Sequence, residues 1–213
     1  ITRDVRLTLL TDPATDSYEL KVKTEDGLVT LAGVVQSWQE KQLCARVAKG
    51  VRGVTGLKNN IEVQYEADRP DAELRPEIEK ALRWDVLVDH ALIDVQVDNG
   101  RVKLKGTVGS AAEKTRAIAD SWVAGVKSVD AAELEVRRWA RDKDLRKDKY
   151  VIKSDKEVRQ AIEAAMQRDP RVESENGTPE VMGGLVTLRG NVETLRSKRS
   201  ARQSSRYTVG VVR

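Results

Sequence analysis

A seven-residue phrase is written three times in this chain: GLVTLAG at 27–33, GRVKLKG at 100–106 and GLVTLRG at 184–190. Self-similarity at such spacing means repeated supersecondary units, and any fold has to accommodate three of them. Each copy opens on a pair that tolerates positive φ: Asp26-Gly27, Asn99-Gly100 and Gly183-Gly184. Two-residue type I′ hairpin turns need that conformation at both central positions. Before two of the turns, Tyr18, Leu20 and Val22, then Ile93, Val95 and Val97, alternate with polar residues, which is the period of a half-buried strand. After the turns the constant residues are Val29 and Leu31, Val102 and Leu104, Val186 and Leu188. A period of two places them on one face, the core face, and leaves Arg101, Lys103, Lys105 and Arg189 to face water or a partner.

The repeat extends past the hairpin. Four residues beyond each closing glycine (Gly33, Gly106, Gly190) stands a helix N-cap, Ser37, Ser110 or Thr194, and Glu40 and Glu113 complete capping boxes for the first two. The helices that follow lead to Gly53-Val54, Gly125-Val126 and Gly210-Val211, with a glycine suited to a helix C-terminus. Strands at 57–63 and 130–136 then close the first two units. Upstream of each hairpin lies an amphipathic helix, marked by Val5 and Leu9, by Leu74, Ile78 and Leu82, and by Val158, Ile162 and Met166 behind the cap Ser154. The expected architecture is α+β: three tandem small domains, each helix-strand-strand-helix-strand, with helices packed on one face of a small sheet. Pro179 in the third copy stands where the second has Val95, and a proline cannot donate a ladder hydrogen bond. The third domain is therefore expected to be the least regular. The chain begins on a core position of a helix and stops where the third domain's last strand should start, so it reads as a fragment, and a removed signal peptide is compatible with it.

Element order, the hairpin phrase and the Gly-Val close together resemble the BON domain, named for bacterial osmotically inducible and nodulation proteins. The residues carrying the resemblance are Gly27, Val29, Leu31, Gly33, Ala45, Gly53 and Val54; Gly100, Val102, Leu104, Gly106, Ala117, Gly125 and Val126; and Gly184, Val186, Leu188, Gly190, Ala201, Gly210 and Val211. Expected domains span 1–67, 71–137 and 154–213, with a basic linker at 138–153 that is either helical or extended. The resemblance implies a role in osmotic stress and envelope integrity, binding to phospholipid surfaces, and a periplasmic or envelope location. A cytoplasmic location is the alternative.

The residues point away from catalysis. The single cysteine, Cys44, excludes an internal disulfide and a cysteine metal cluster. Its place inside a helix beside Ala45 and Val47 suits a buried small hydrophobe. His90 is the only histidine, with no nucleophile motif near it. The glycines of 183–190 match neither a dinucleotide fingerprint nor a P-loop. No apolar run reaches spanning length. The expectation is a non-enzymatic protein without cofactor, metal or small-molecule substrate.

Charge is the informative remainder. Residues 1–68 hold 9 basic against 10 acidic residues and 69–136 hold 10 against 13, whereas 137–153 hold 8 against 3 and 154–213 hold 11 against 8. A weakly acidic first part is thus joined to a basic second part, and such asymmetry points to an anionic partner. In the last helix Arg199, Arg202 and Arg206 recur at three and four residues as a stripe, with Arg196 leading into it and Lys198 beside it. That stripe is either a solvated face or a lipid-facing one. Trp38 follows the cap Ser37 at a chain corner, where an indole staples the core or enters a headgroup boundary; Trp139 stands among Arg137, Arg138 and Arg141, and suits a membrane interface or an interdomain contact. Trp84 and Trp122 read as packing residues of the second domain. Three functions are compared: binding to an anionic phospholipid surface, mainly through the linker and third domain; a protein-interaction or chaperone-like scaffold that receives an envelope protein at a sheet edge; and nucleic-acid binding. The last ranks lowest, because the outward hairpin positions offer no aromatic platform.

Overall fold

The computed structural model describes residues 1–213 apart from 17, 66–67, 143, 146–148, 150, 173–177 and 213. The chain forms two compact bodies, Ile1–Ala67 and Asp68–Arg213. In the first, helix α1 (Thr2–Thr11) precedes the hairpin β1 (Lys21–Glu25) and β2 (Leu28–Val35), then α2 (Trp38–Lys49) and β3 (Gly56–Val63). β1 pairs antiparallel with β2, and β3 lies parallel on the other side of β2. The hairpin forms because Asp26 and Gly27 adopt φ of 48° and 83°, the double positive φ of a type I′ turn. Val29, Leu31 and Ile61 are fully buried against Val5, Leu9, Leu43 and Cys44. Helix α2 starts at Ser37, whose hydroxyl accepts from the Glu40 amide while the Glu40 carboxylate returns to the Ser37 amide, a closed capping box.

The second body repeats this plan. Helix α3 (Asp71–Trp84), the hairpin β4 (Ile93–Asp98) and β5 (Arg101–Val108), and α4 (Ala111–Asp120) precede two short strands, β6 (Ser128–Asp130) and β7 (Leu134–Val136), both parallel to β5. The sequence suggested one strand over 130–136. The ladder instead breaks at Ala131–Glu133, where Ala131 turns inward and the Glu133 carbonyl accepts from the Gly106 amide at 3.1 Å. Gly106 is required at the matching point of β5: its φ is 113°, and a Cβ there would lie 2.1 Å from the Leu92 carbonyl oxygen. The capping box expected of Glu113 is not closed: Ser110 caps the Glu113 amide, but the Glu113 carboxylate accepts from the amides of Gly109 at 2.9 Å and Asp89 at 2.7 Å, tying the loop before the hairpin to α4 instead.

The last repeat comprises α5 (Asp155–Gln167), the hairpin β8 (Pro179–Met182) and β9 (Leu185–Leu188), and α6 (Leu195–Arg206). Among the described residues its sheet has two strands. Pro179 opens β8 opposite Leu188, just as Val95 lies opposite Leu104 in the second repeat. Residues 173–177, just before this hairpin, lie outside the described residues. The glycines of the Gly-Val pairs do not end the helices, which stop at Lys49, Asp120 and Arg206; Gly53, Gly125 and Gly210 sit in the turns beyond, all at positive φ.

Repeats two and three are joined by more than the linker. The Val86 amide donates to the Tyr207 carbonyl at 2.8 Å and the Val209 amide to the Trp84 carbonyl at 2.9 Å, making an antiparallel bridge between Asp85 and Thr208. Trp84, read from sequence as a core residue of the second repeat, packs instead against Val158, Ile162 and Met166 of the third. Position explains the difference. Trp84 ends α3, two residues beyond Leu82, the last core position of its own repeat, where no later residue reveals which core it joins. Trp122 does pack on the second core.

Candidate functional site

The same strand has different surroundings in each repeat. In β2 and β5 the core-facing pairs Val29/Leu31 and Val102/Leu104 are at most 1% exposed, because a parallel third strand and a helix cover them. In β9 the equivalent Val186 is half-buried and Leu188 is 36% exposed. Its outer edge has no strand partner among the described residues. A groove of about 890 Å³ lies between β9 and α6, with Met166, Val172, Val186 and Ala201 among its apolar lining.

Cations line the same groove: Arg189 from the end of β9, and Lys198, Arg202 and Arg206 from α6. Ala201 and Ser205 are the buried residues of α6, and a spacing of four carries Lys198, Arg202 and Arg206 up one flank of the helix. Lys198, Arg202 and Arg206 form no ion pair with any carboxylate among the described residues, and Arg189 reaches Glu180 at 3.5 Å. Arg199, expected in line with Arg202 and Arg206, is exposed but does not line the groove, and Lys198 takes that place; Arg196 is exposed further round the helix. Leu185, Leu188 and Val192, which line the groove with these cations, are 65%, 36% and 42% exposed, so the cations stand among uncovered apolar side chains.

The other candidates are scattered. In the linker a 3₁₀ turn, Arg138–Arg141, buries Ala140 and leaves Trp139 59% exposed. Arg137 pairs with Glu135 at 2.7 Å, and Arg141 Nε donates to the Gly109 carbonyl at 2.7 Å, so both fasten the linker to the second repeat, while Arg138 is exposed. The rest of the linker, 142–153, is only partly within the described residues. Trp38 is half-buried at the start of α2, in the other compact body. Cys44 is fully buried, and burial pushes its thiol up to about 12, which keeps it protonated and inert.

One repeated device escaped the sequence reading. Asp155, the first residue of α5, accepts from the amides of Gly183 and Gly184 at 2.8 and 3.0 Å, and Asp71, the first residue of α3, accepts from Asn99 and Gly100 at 2.7 and 2.8 Å. Each carboxylate clamps a hairpin turn. Those amides hold the Asp155 carboxyl below the usual carboxylate range. The signal was available, since both aspartates precede their turns by the same interval in the repeat register.

No group of three or more His, Cys, Asp or Glu suited to a metal ion occurs among the described residues, and no helix among them is long and apolar enough to cross a membrane. In comparison with known proteins, the chain is 35% identical over 137 residues to osmotically-inducible protein Y of Escherichia coli (strain K12), covering 61% of this chain and 68% of that protein. Two solved structures of CdsD, a structural protein of the type III secretion system of Chlamydia trachomatis, cover 99% of this chain and 87% and 91% of their own, at 12% and 13% identity with TM-scores of 0.26 and 0.25. The BON domain model matches residues 1–65, 70–138 and 154–213. Three matched segments spanning nearly the whole length, each centred on one hairpin phrase, place this chain in the BON domain family, a non-catalytic family.

Proposed function

We propose that this chain is a non-catalytic protein of the bacterial periplasm or cell envelope, serving under osmotic stress, whose third repeat adheres to anionic phospholipid surfaces. The observation carrying this reading is the juxtaposition in one groove of Arg189, Lys198, Arg202 and Arg206 with the exposed Leu185, Leu188 and Val192. Each Lys or Arg near an anionic bilayer contributes about 1 kcal/mol, so four cations supply roughly 4 kcal/mol, weakened by salt. Exposed apolar side chains add interfacial burial that salt does not weaken. Arg138 and the exposed Trp139 extend the surface into the linker, whereas Arg137 and Arg141, engaged with the second repeat, contribute less. The similarity to an osmotically inducible protein supports the stress assignment.

Vesicle co-sedimentation of the full chain tests this. Binding to vesicles containing phosphatidylglycerol, absent with phosphatidylcholine alone and reduced between low and physiological salt, is expected. Equal sedimentation with both lipids, or none with either, refutes it. A second reading is a scaffold that receives a segment of an envelope protein, drawing on the apolar lining of the groove, Met166, Val172, Val186 and Ala201. Under that reading vesicles of either composition leave the chain in solution, and neutralising Arg202 and Arg206 is silent toward lipid.

A further inference from the structure

The junction between the second and third repeats contains two carboxylates and one guanidinium in a largely buried place. Asp85, which caps the end of α3, is 6% exposed, and its Oδ2 accepts from Arg116 Nε at 2.5 Å, while its Oδ1 accepts from the Leu87 amide at 2.6 Å. Asp120, the last residue of α4, has a side chain 12% exposed and meets the same Arg116 Nε only at 3.6 Å. Its other oxygen, Oδ2, is buried and accepts no hydrogen bond. Asp85 is also the residue whose backbone bridges to Thr208 of the third repeat, and Lys149 Nζ donates to the Asp85 carbonyl at 2.7 Å.

A carboxylate accepts hydrogen bonds and cannot donate them, so a buried, unsatisfied oxygen beside a second carboxylate is costly while ionised. A proton removes the charge and supplies a donor for the neighbour. We propose that the cluster of Asp85, Arg116 and Asp120 is a proton-controlled latch: with Asp120 protonated the third repeat is docked on the second, and loss of that proton releases it.

Among the described residues, two cations and one carboxylate act on Asp120. Arg116 on α4 and Arg168 at the end of α5 favour its ionised form, while burial and Asp85 at the end of α3 oppose it more strongly, raising the Asp120 carboxyl to about 8. Tyr207 at the end of α6 acts on Arg116. Because the docked state keeps a proton that the released state gives up, docking weakens as pH rises from the ordinary carboxylate value of 3.8 toward 8, and it levels off above that. Within that window each pH unit multiplies the opening constant by about ten, the consequence of one linked proton. The latch is independent of what the third repeat binds.

The test is energy transfer between dyes on the exposed positions Arg101→Cys and Thr187→Cys of the full chain, with Cys44→Ala, followed from pH 5 to pH 9. Transfer that is constant at low pH and falls toward pH 9, together with constant transfer throughout in Asp120→Asn, is expected, since an amide carries no charge and still donates to Asp85. Should that variant fold poorly, the carboxyl carbon of Asp120 in the unsubstituted chain is titrated by NMR, with an expected midpoint far above 3.8. A pH-independent distance, an identical transition in Asp120→Asn, or a midpoint near the ordinary carboxylate value overturns the proposal.

Discussion

Repeats two and three carry the same hairpin and use it differently. In the second, β5 lies between β4 on one side and β6 and β7 on the other, and Val102 and Leu104 vanish into the core. In the third, β9 pairs with β8 among the described residues, and Leu188, the counterpart of Leu104, is 36% exposed. The pattern of Val and Leu at alternate positions decides which face is apolar. That face is covered in the second repeat and partly exposed in the third. Where it is surface, it is flanked by cations rather than by the alternating Lys103, Lys105 and Glu133 pairs seen on the second repeat.

The comparison breaks most readily at its two leucines. Leu104→Ala is expected to cost about 2–5 kcal/mol, the range for emptying a packed site, while Leu188→Ala costs less than about 1 kcal/mol. Chemical denaturation of both variants decides this, and equal losses would mean that the third repeat has a packed core after all. Trp84→Ala comes next, at about 2 kcal/mol for a half-buried indole. Its expected mark is faster amide exchange in α5 and at Val209, in the third repeat, rather than on β5; the reverse outcome would return Trp84 to the second core.

Arg202→Gln combined with Arg206→Gln removes about 2 kcal/mol of attraction to an anionic bilayer, a loss of roughly thirtyfold in binding, read by sedimentation at low salt. The smallest effect concerns the turn clamp. The Asp155 carboxyl is held below its usual range by Gly183 and Gly184, so its contribution is present above the ordinary carboxylate value of 3.8 and is lost as pH falls through the lower folded value. The amide resonances of Gly183 and Gly184 should shift over that acidic range, and in Asp155→Asn they should not.

What the sequence disclosed follows the range of each interaction. Turns were legible because Asp-Gly, Asn-Gly and Gly-Gly act within two residues, and helix starts because Ser37, Ser110, Ser154 and Thr194 cap the amide three residues on. Strand faces followed from a period of two. Lys198 was recognised as basic but not as the groove's third α6 cation, since the inward face of α6 depends on where Ala201 and Ser205 pack. The junction was illegible: Asp85 and Arg116 lie 31 positions apart, and no local pattern marks two aspartates destined for one guanidinium. The break between β6 and β7 was hidden for a similar reason, because Ala131 turns inward in response to a core that forms elsewhere.

The most direct test sets the two repeats against each other. Two full-length variants, each lacking four cations, are compared on phosphatidylglycerol vesicles at low salt: Arg189, Lys198, Arg202 and Arg206 replaced by Gln, and Arg101, Lys103, Lys105 and Lys114 replaced by Gln. Both lose the same net charge. Binding abolished in the first and largely retained in the second is the predicted result. Equal losses would show that only total charge matters, and would contradict a site in the open groove of the third repeat.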